Sequence, residues 1–127
     1  MRQYYFDSRF SADILAGKKS MTVRRVWKKP VRKGETLCLH IDLPKKNSTI
    51  VVSALCSEVC PIRVSTDSII IRTRKLSSWE IRDFVRKDGF RSFADMIAFF
   101  ERRYSLPFTG QRICWNPVPN SEGSVSP

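Results

Sequence analysis

The chain has 127 residues, 42% of them apolar, and carries 23 lysines and arginines against 12 acids, for a formal charge of +11. This length and apolar fraction suit one domain with a packed core and exclude a disordered chain. No apolar run reaches the ~20 residues that cross a bilayer, no signal-peptide core is visible near residue 1, and the charge calls for an anionic partner, nucleic acid first.

In chain order, residues 3–6 read as a strand. Asp7 or Ser8 then caps a helix that carries Phe10, Ile14 and Leu15 on one face and ends at Gly17. Residues 21–24 are extended, and 27–33 form a basic loop around Pro30. Gly34 opens a strand over 35–41, residues 44–48 turn, and 49–59 return as a strand that Pro61 ends. The β-branched run at 69–71 is a further buried strand. Ser77 with Glu80 is a capping box, and Ile81, Phe84 and Val85 follow helical spacing up to Asp88 and Gly89. Ser92 and Asp95 start a second helix, whose stripe of Phe93, Met96, Ile97, Phe100 and Tyr104 is core. Pro107 and Gly110 break it before a last strand at 111–115. Trp79 and Trp115 are expected in or against the core. Residues 117–127, rich in proline and serine, read as a flexible tail after a domain at 1–116. Strands, a helical pair and a final strand make an α+β fold, with a strongly bent or barrel-like sheet covered by helices.

Cys38, Cys56, Cys60 and Cys114 are expected to be reduced thiols of a cytoplasmic protein, mostly buried. The spacing of Cys56 and Cys60 lacks the second pair that a closed zinc site needs, and His40 lies in a strand. Neither a metal nor a cofactor is expected.

Residues 14–33 hold eight of the 23 cations and no acid. Within them Lys19 and Thr22 place an amine and a hydroxyl three residues apart. Threonine is a nucleophile only beside a base, and lysine is a base only when neutral. Burial and neighbouring cations (Lys18, Arg24 and Arg25) depress its pKa. On a strand over 21–24, Thr22 and Arg24 project to one side, where Arg24 can hold a phosphate or an oxyanion. Arg25, Lys28 and Lys29 flank Trp27, an arrangement suited to phosphates with one base stacked on the indole.

Three blocks in this order resemble the ASCH domain of the PUA-like superfamily, and together they cover residues 3–116. They are the stretch from Ile14 to Arg24, the strand entry at Lys33, Gly34 and Glu35, and Asp88–Gly89–Phe90 with the aromatic helix, Pro107 and Trp115 after it. The resemblance implies a small PUA-like β-barrel with covering helices and a cleft between them. It also implies RNA or a modified nucleoside or nucleotide as the ligand. Similar small bacterial proteins are N4-acetylcytidine amidohydrolases with a lysine, a threonine and a glutamate as catalytic set. These fall by position on Lys19, Thr22 and Asp88, the last one methylene shorter than glutamate. Two alternatives stay open: a non-catalytic module that binds RNA or DNA, and a ribonuclease acting on single-stranded RNA.

Overall fold

A computed structural model describes residues 2–26 and 28–117; Met1, Trp27 and residues 118–127 lie outside the described residues. The expected stacking by Trp27, and all but the first residue of the expected tail, therefore fall outside them. Among the described residues the strands are β1 (Arg2–Tyr5), β2 (Met21–Arg24), β3 (Thr36–Leu43), β4 (Ser48–Val64), β5 (Ile69–Ile71), β6 (Arg74–Lys75) and β7 (Phe108–Trp115). The helices are α1 (Ser11–Leu15) between β1 and β2, and α2 (Ser78–Lys87) and α3 (Phe93–Arg103) before β7. No helix among the described residues is long and apolar enough to cross a membrane.

All seven strands belong to one mixed sheet, so the fold is α+β. β1 runs parallel to β3, with Arg2 opposite Leu37 and Tyr5 opposite His40. β4 is the spine. Its first half pairs antiparallel with β3, and from Cys56 onward it pairs with β7. A bulge between Cys56 and Glu58 marks the change of partner, and an extra residue there bends the strand. β7 in turn carries β2 on its other side, with Thr22 opposite Ile113 and Arg24 opposite Gln111.

The sheet is not closed into a barrel. No backbone ladder joins β1 to β2 among the described residues. Instead the Arg24 side chain donates to the Tyr5 carbonyl at 2.9 Å and takes up a group that closure would need.

One break expected from the sequence is absent, and the last strand starts three residues earlier than expected, at Phe108. β4 runs through Pro61, whose carbonyl accepts from the Arg72 N–H at 2.9 Å. A residue's N–H and C=O leave a strand on the same side, so the missing donor of Pro61 faces the turn after β5 and not the ladder with β7. β7 runs through Gly110, where a Cβ would collide with the Arg24 carbonyl and the Phe108 ring. Glycine there lets β7 pass close under the end of β2.

The core lies between the sheet and the helices. Leu37, Leu39 and Ile41 of β3, Val64 and Ile69 meet Met96 and Phe100 of α3 there, all nearly or fully out of contact with water. Each such side chain contributes about 1.5–3 kcal/mol on burial. Trp115 is buried as expected, but Trp79 is 70% exposed. The inward stripe of α2 is Ile81, Phe84, Val85 and then Asp88, and position 79 falls on the opposite face.

Candidate active site

Each wall of the candidate site has a local cause. Gly17, at φ 76°, ends α1 in a left-handed turn. The Asp13 carbonyl then accepts from the N–H groups of Lys18 at 2.8 Å and Lys19 at 3.0 Å. That turn sends Lys18 into solvent and Lys19 inward, where it is 2% exposed. β2 follows, held against β7, and places Thr22 and Arg24 on one side. The Arg24 Nε donates to Thr22 Oγ1 at 3.0 Å. Its guanidinium lies 5.2 Å from the Tyr4 ring and 4.9 Å from the Phe6 ring.

The opposite wall is the end of α2. Asp88 is its C-terminal cap, with its N–H on the Phe84 carbonyl at 3.0 Å. Gly89 reverses the chain at φ 89°, and a Cβ there would lie 2.8 Å from Phe10 Cδ1 and 3.3 Å from Lys19 Cδ. Only glycine allows the helix end to come this close to Lys19. The Lys19 Nζ donates to Asp88 Oδ1 at 2.6 Å and to the Asp88 carbonyl at 2.7 Å. The amine also sits 4.8 Å from the centre of the Phe10 ring.

This ion pair is buried on both sides. Desolvation pushes the Lys19 amine below the ordinary lysine value, opposed by the charge and hydrogen bond of Asp88 and assisted by Arg24. Desolvation likewise raises the Asp88 carboxyl, against the pull of Lys19 and Arg24. Both shifts favour the neutral forms, which is the signature of a pair costly to hold charged. Two acceptors on Asp88 take two protons of Nζ. In the neutral amine the remaining position is a lone pair, the form a base requires.

Lys19, Thr22, Arg24 and Asp88 line one cleft, walled by Phe6, Phe10, Phe90, Phe99 and Tyr104, with Tyr5 at its edge. Its volume is about 40 Å³, room for a water or two. Arg103, which bridges to Asp7 at 3.6 Å, and Tyr104 flank it at the end of α3. The cleft does not take in every expected residue. Lys18, Lys28 and Lys29 are exposed outside it, and Arg25 lines a separate groove.

Sequence reasoning missed the aromatic half of the cleft. Tyr104 reads as the last residue of a core stripe, yet it is half-buried beside Arg102 and Arg103. A basic pair next to the last aromatic of a stripe is the available signal. Tyr5 is 64% exposed, and its ring stacks on His40 at 4.2 Å. Cys38, Cys56 and Cys60 are buried and Cys114 is half-buried. Among the described residues no group of three His, Cys, Asp or Glu is placed to hold a metal.

No protein-family model, no curated protein and no solved structure matches this chain.

Proposed function

We propose that the protein is an ASCH-type, PUA-like domain that hydrolyses an N-acyl group from the exocyclic amine of cytosine, with N4-acetylcytidine as the reference substrate. The observation that carries this reading is the buried Lys19–Asp88 pair closed beside Thr22 in one cleft. The sheet bent over its helices suits such a domain, although its barrel would remain open.

In this mechanism neutral Lys19 takes the proton of Thr22 as Oγ1 attacks the acyl carbonyl. The Arg24 Nε, already on Thr22 Oγ1 at 3.0 Å, steadies the charge that develops on oxygen. The carbon–nitrogen bond breaks, and the proton held by Lys19 passes to the leaving amine. Water then hydrolyses the threonine ester, returning a carboxylic acid and free Thr22. Asp88 is a positioning residue that holds Nζ through both of its oxygen contacts. A pyrimidine ring needs more than 40 Å³, so the cleft has to widen for substrate to enter.

The test is incubation of purified protein with N4-acetylcytidine, with cytidine followed by chromatography. Turnover should fall by about 100-fold or more in Lys19→Ala, as for loss of a general base. Absence of turnover, or equal turnover by the variant, removes the hydrolase reading. The exposed Lys28 and Lys29 favour a second reading, a non-catalytic RNA- or DNA-binding module. In that case Lys19→Ala leaves nucleic-acid affinity unchanged.

A further inference from the structure

A second concavity lies apart from the cleft. It is an open groove of about 960 Å³ beside the second half of β4. Arg25, Arg32, Lys33 and Arg72 line it, with Val59 and Pro61 adding apolar surface. All four cations are exposed. An acid that also lines it, Glu58, is held by the Arg112 guanidinium at 2.5 Å, which offsets its charge.

The groove is built, not left over. The Gln111 side chain clamps the backbone of Val31 in both directions, accepting from its N–H at 3.0 Å and donating to its carbonyl at 3.2 Å. Arg2 donates to the Pro30 carbonyl at 2.8 Å, and Gly34 donates to the Cys56 carbonyl at 2.8 Å. The basic loop is therefore tied to β7, β1 and β4 at successive positions. Arg72 is held at φ 60° by its bond to Pro61.

The groove and the cleft lie side by side. Arg24 lines one and Arg25 the other, and the Arg25 guanidinium lies 5.4 Å from the ring of Tyr104, a cleft wall. A free nucleoside has no phosphate and gives four pre-placed cations nothing to bind. A strand of nucleotides does, because each phosphate neutralised by lysine or arginine releases counterions. We infer that the groove binds the phosphodiester backbone of a single-stranded polynucleotide, one of whose cytosines enters the cleft. This rests on the proposed hydrolase reading for its substrate, but not for its binding.

The experiment compares kcat/KM for free N4-acetylcytidine with that for a short single-stranded oligonucleotide carrying one N4-acetylcytosine, made as RNA and as DNA. The wild type should prefer an oligonucleotide by about tenfold or more, as expected for several phosphate contacts at low salt. The triple variant R32A/K33A/R72N should lose that preference and keep its rate on the nucleoside. Asparagine tolerates the left-handed backbone at position 72. Loss of the preference on the RNA or the DNA arm supports the inference and names the backbone. No preference in the wild type, or one that survives in the variant, overturns it.

Should neither substrate turn over, the hydrolase reading fails and the groove is judged by fluorescence anisotropy with an unmodified labelled oligonucleotide. The plot of log affinity against log salt should then flatten by about one unit of slope for each cation removed. Absent binding, or an unchanged slope, overturns the groove.

Discussion

The cleft and the groove draw on one basic stretch, residues 14–33, and treat its cations in opposite ways. Lys19 is buried against Asp88 and Phe10, and Arg24 is tied to Thr22 and Tyr5. Arg25, Arg32 and Lys33, a few residues on, stand in solvent above an open concavity. A desolvated amine loses its proton readily and becomes a base, whereas a solvated one keeps its charge and acts through a field that salt screens. Charge density in the sequence is the same for both, so burial divides the chemistry from the binding.

The sharpest way to break this contrast is to strip the cleft of its acid. Asp88→Ala leaves Lys19 buried without its partner, and removal of one member of such a pair costs about 3–5 kcal/mol. Urea unfolding at neutral pH should show this loss. A depressed lysine binds fewer protons in the folded state than in the unfolded one. Stability therefore rises with pH from Lys19's folded value up to the ordinary 10.5, and the penalty in Asp88→Ala should shrink just below that window, between the variant's still lower Lys19 value and that of wild type. The double variant K19M/D88L removes both charges and should return to within about 2 kcal/mol of wild type. The remaining deficit is the Asp88 carbonyl, which loses a donor. If the double variant is as unstable as the single, the pair is a packing element and not a held charge.

A smaller effect sharpens the same point in the rate. If Lys19 is the base, log kcat/KM on N4-acetylcytidine rises with pH and levels off below 10.5, because burial holds the amine down. The carboxylate of Asp88 acts the other way and keeps the amine's value up. Asp88→Asn should therefore move the rising limb to lower pH while lowering the plateau. A limb that stays in place separates Asp88 from the titration of Lys19. The exposed cations of the groove should leave this limb unmoved when they are replaced.

Local signals carried much of the fold. The glycine after α1, the capping box of Ser77 and Glu80, the Asp88–Gly89 stop and the stripe of α3 each act within a few residues, and each element forms where its signal lies. What was not legible is non-local. Pro61 is tolerated because β5 ends where its missing donor points, and Trp79 is exposed because the apolar face of α2 lies elsewhere. Local pattern alone does not separate Lys18 from Lys19; only the family resemblance does, and the Asp13 carbonyl orients the turn that sets them apart. The contact between Lys19 and Asp88 spans 69 positions and is expected only through the family resemblance. The groove draws on residues from four separate segments, so no window of sequence displays it.

The smallest expected effect tests whether the cleft is set by its own turn or by the whole of α2. Ser77 Oγ accepts from the Glu80 N–H at 3.2 Å, and Glu80 accepts in return from the Ser77 N–H at 3.0 Å. Glu80 is further held by Arg74, and these contacts lower its pKa to about 2. Its contribution is thus complete above the ordinary 4.5 and is lost only as pH falls through about 2. Ser77→Ala should cost about 1 kcal/mol, the usual loss for an N-cap, and lower Tm by about 3–5 °C for a domain of this size. The cap lies one helix length, about 15 Å, from Asp88, and Asp88 is fixed instead by Gly89 against Phe10 and Lys19. Nucleoside kcat/KM and its pH limb should therefore not change in Ser77→Ala. A shifted limb would mean that α2 moves as a rod, and that the field around Lys19 is set from the far end of the helix.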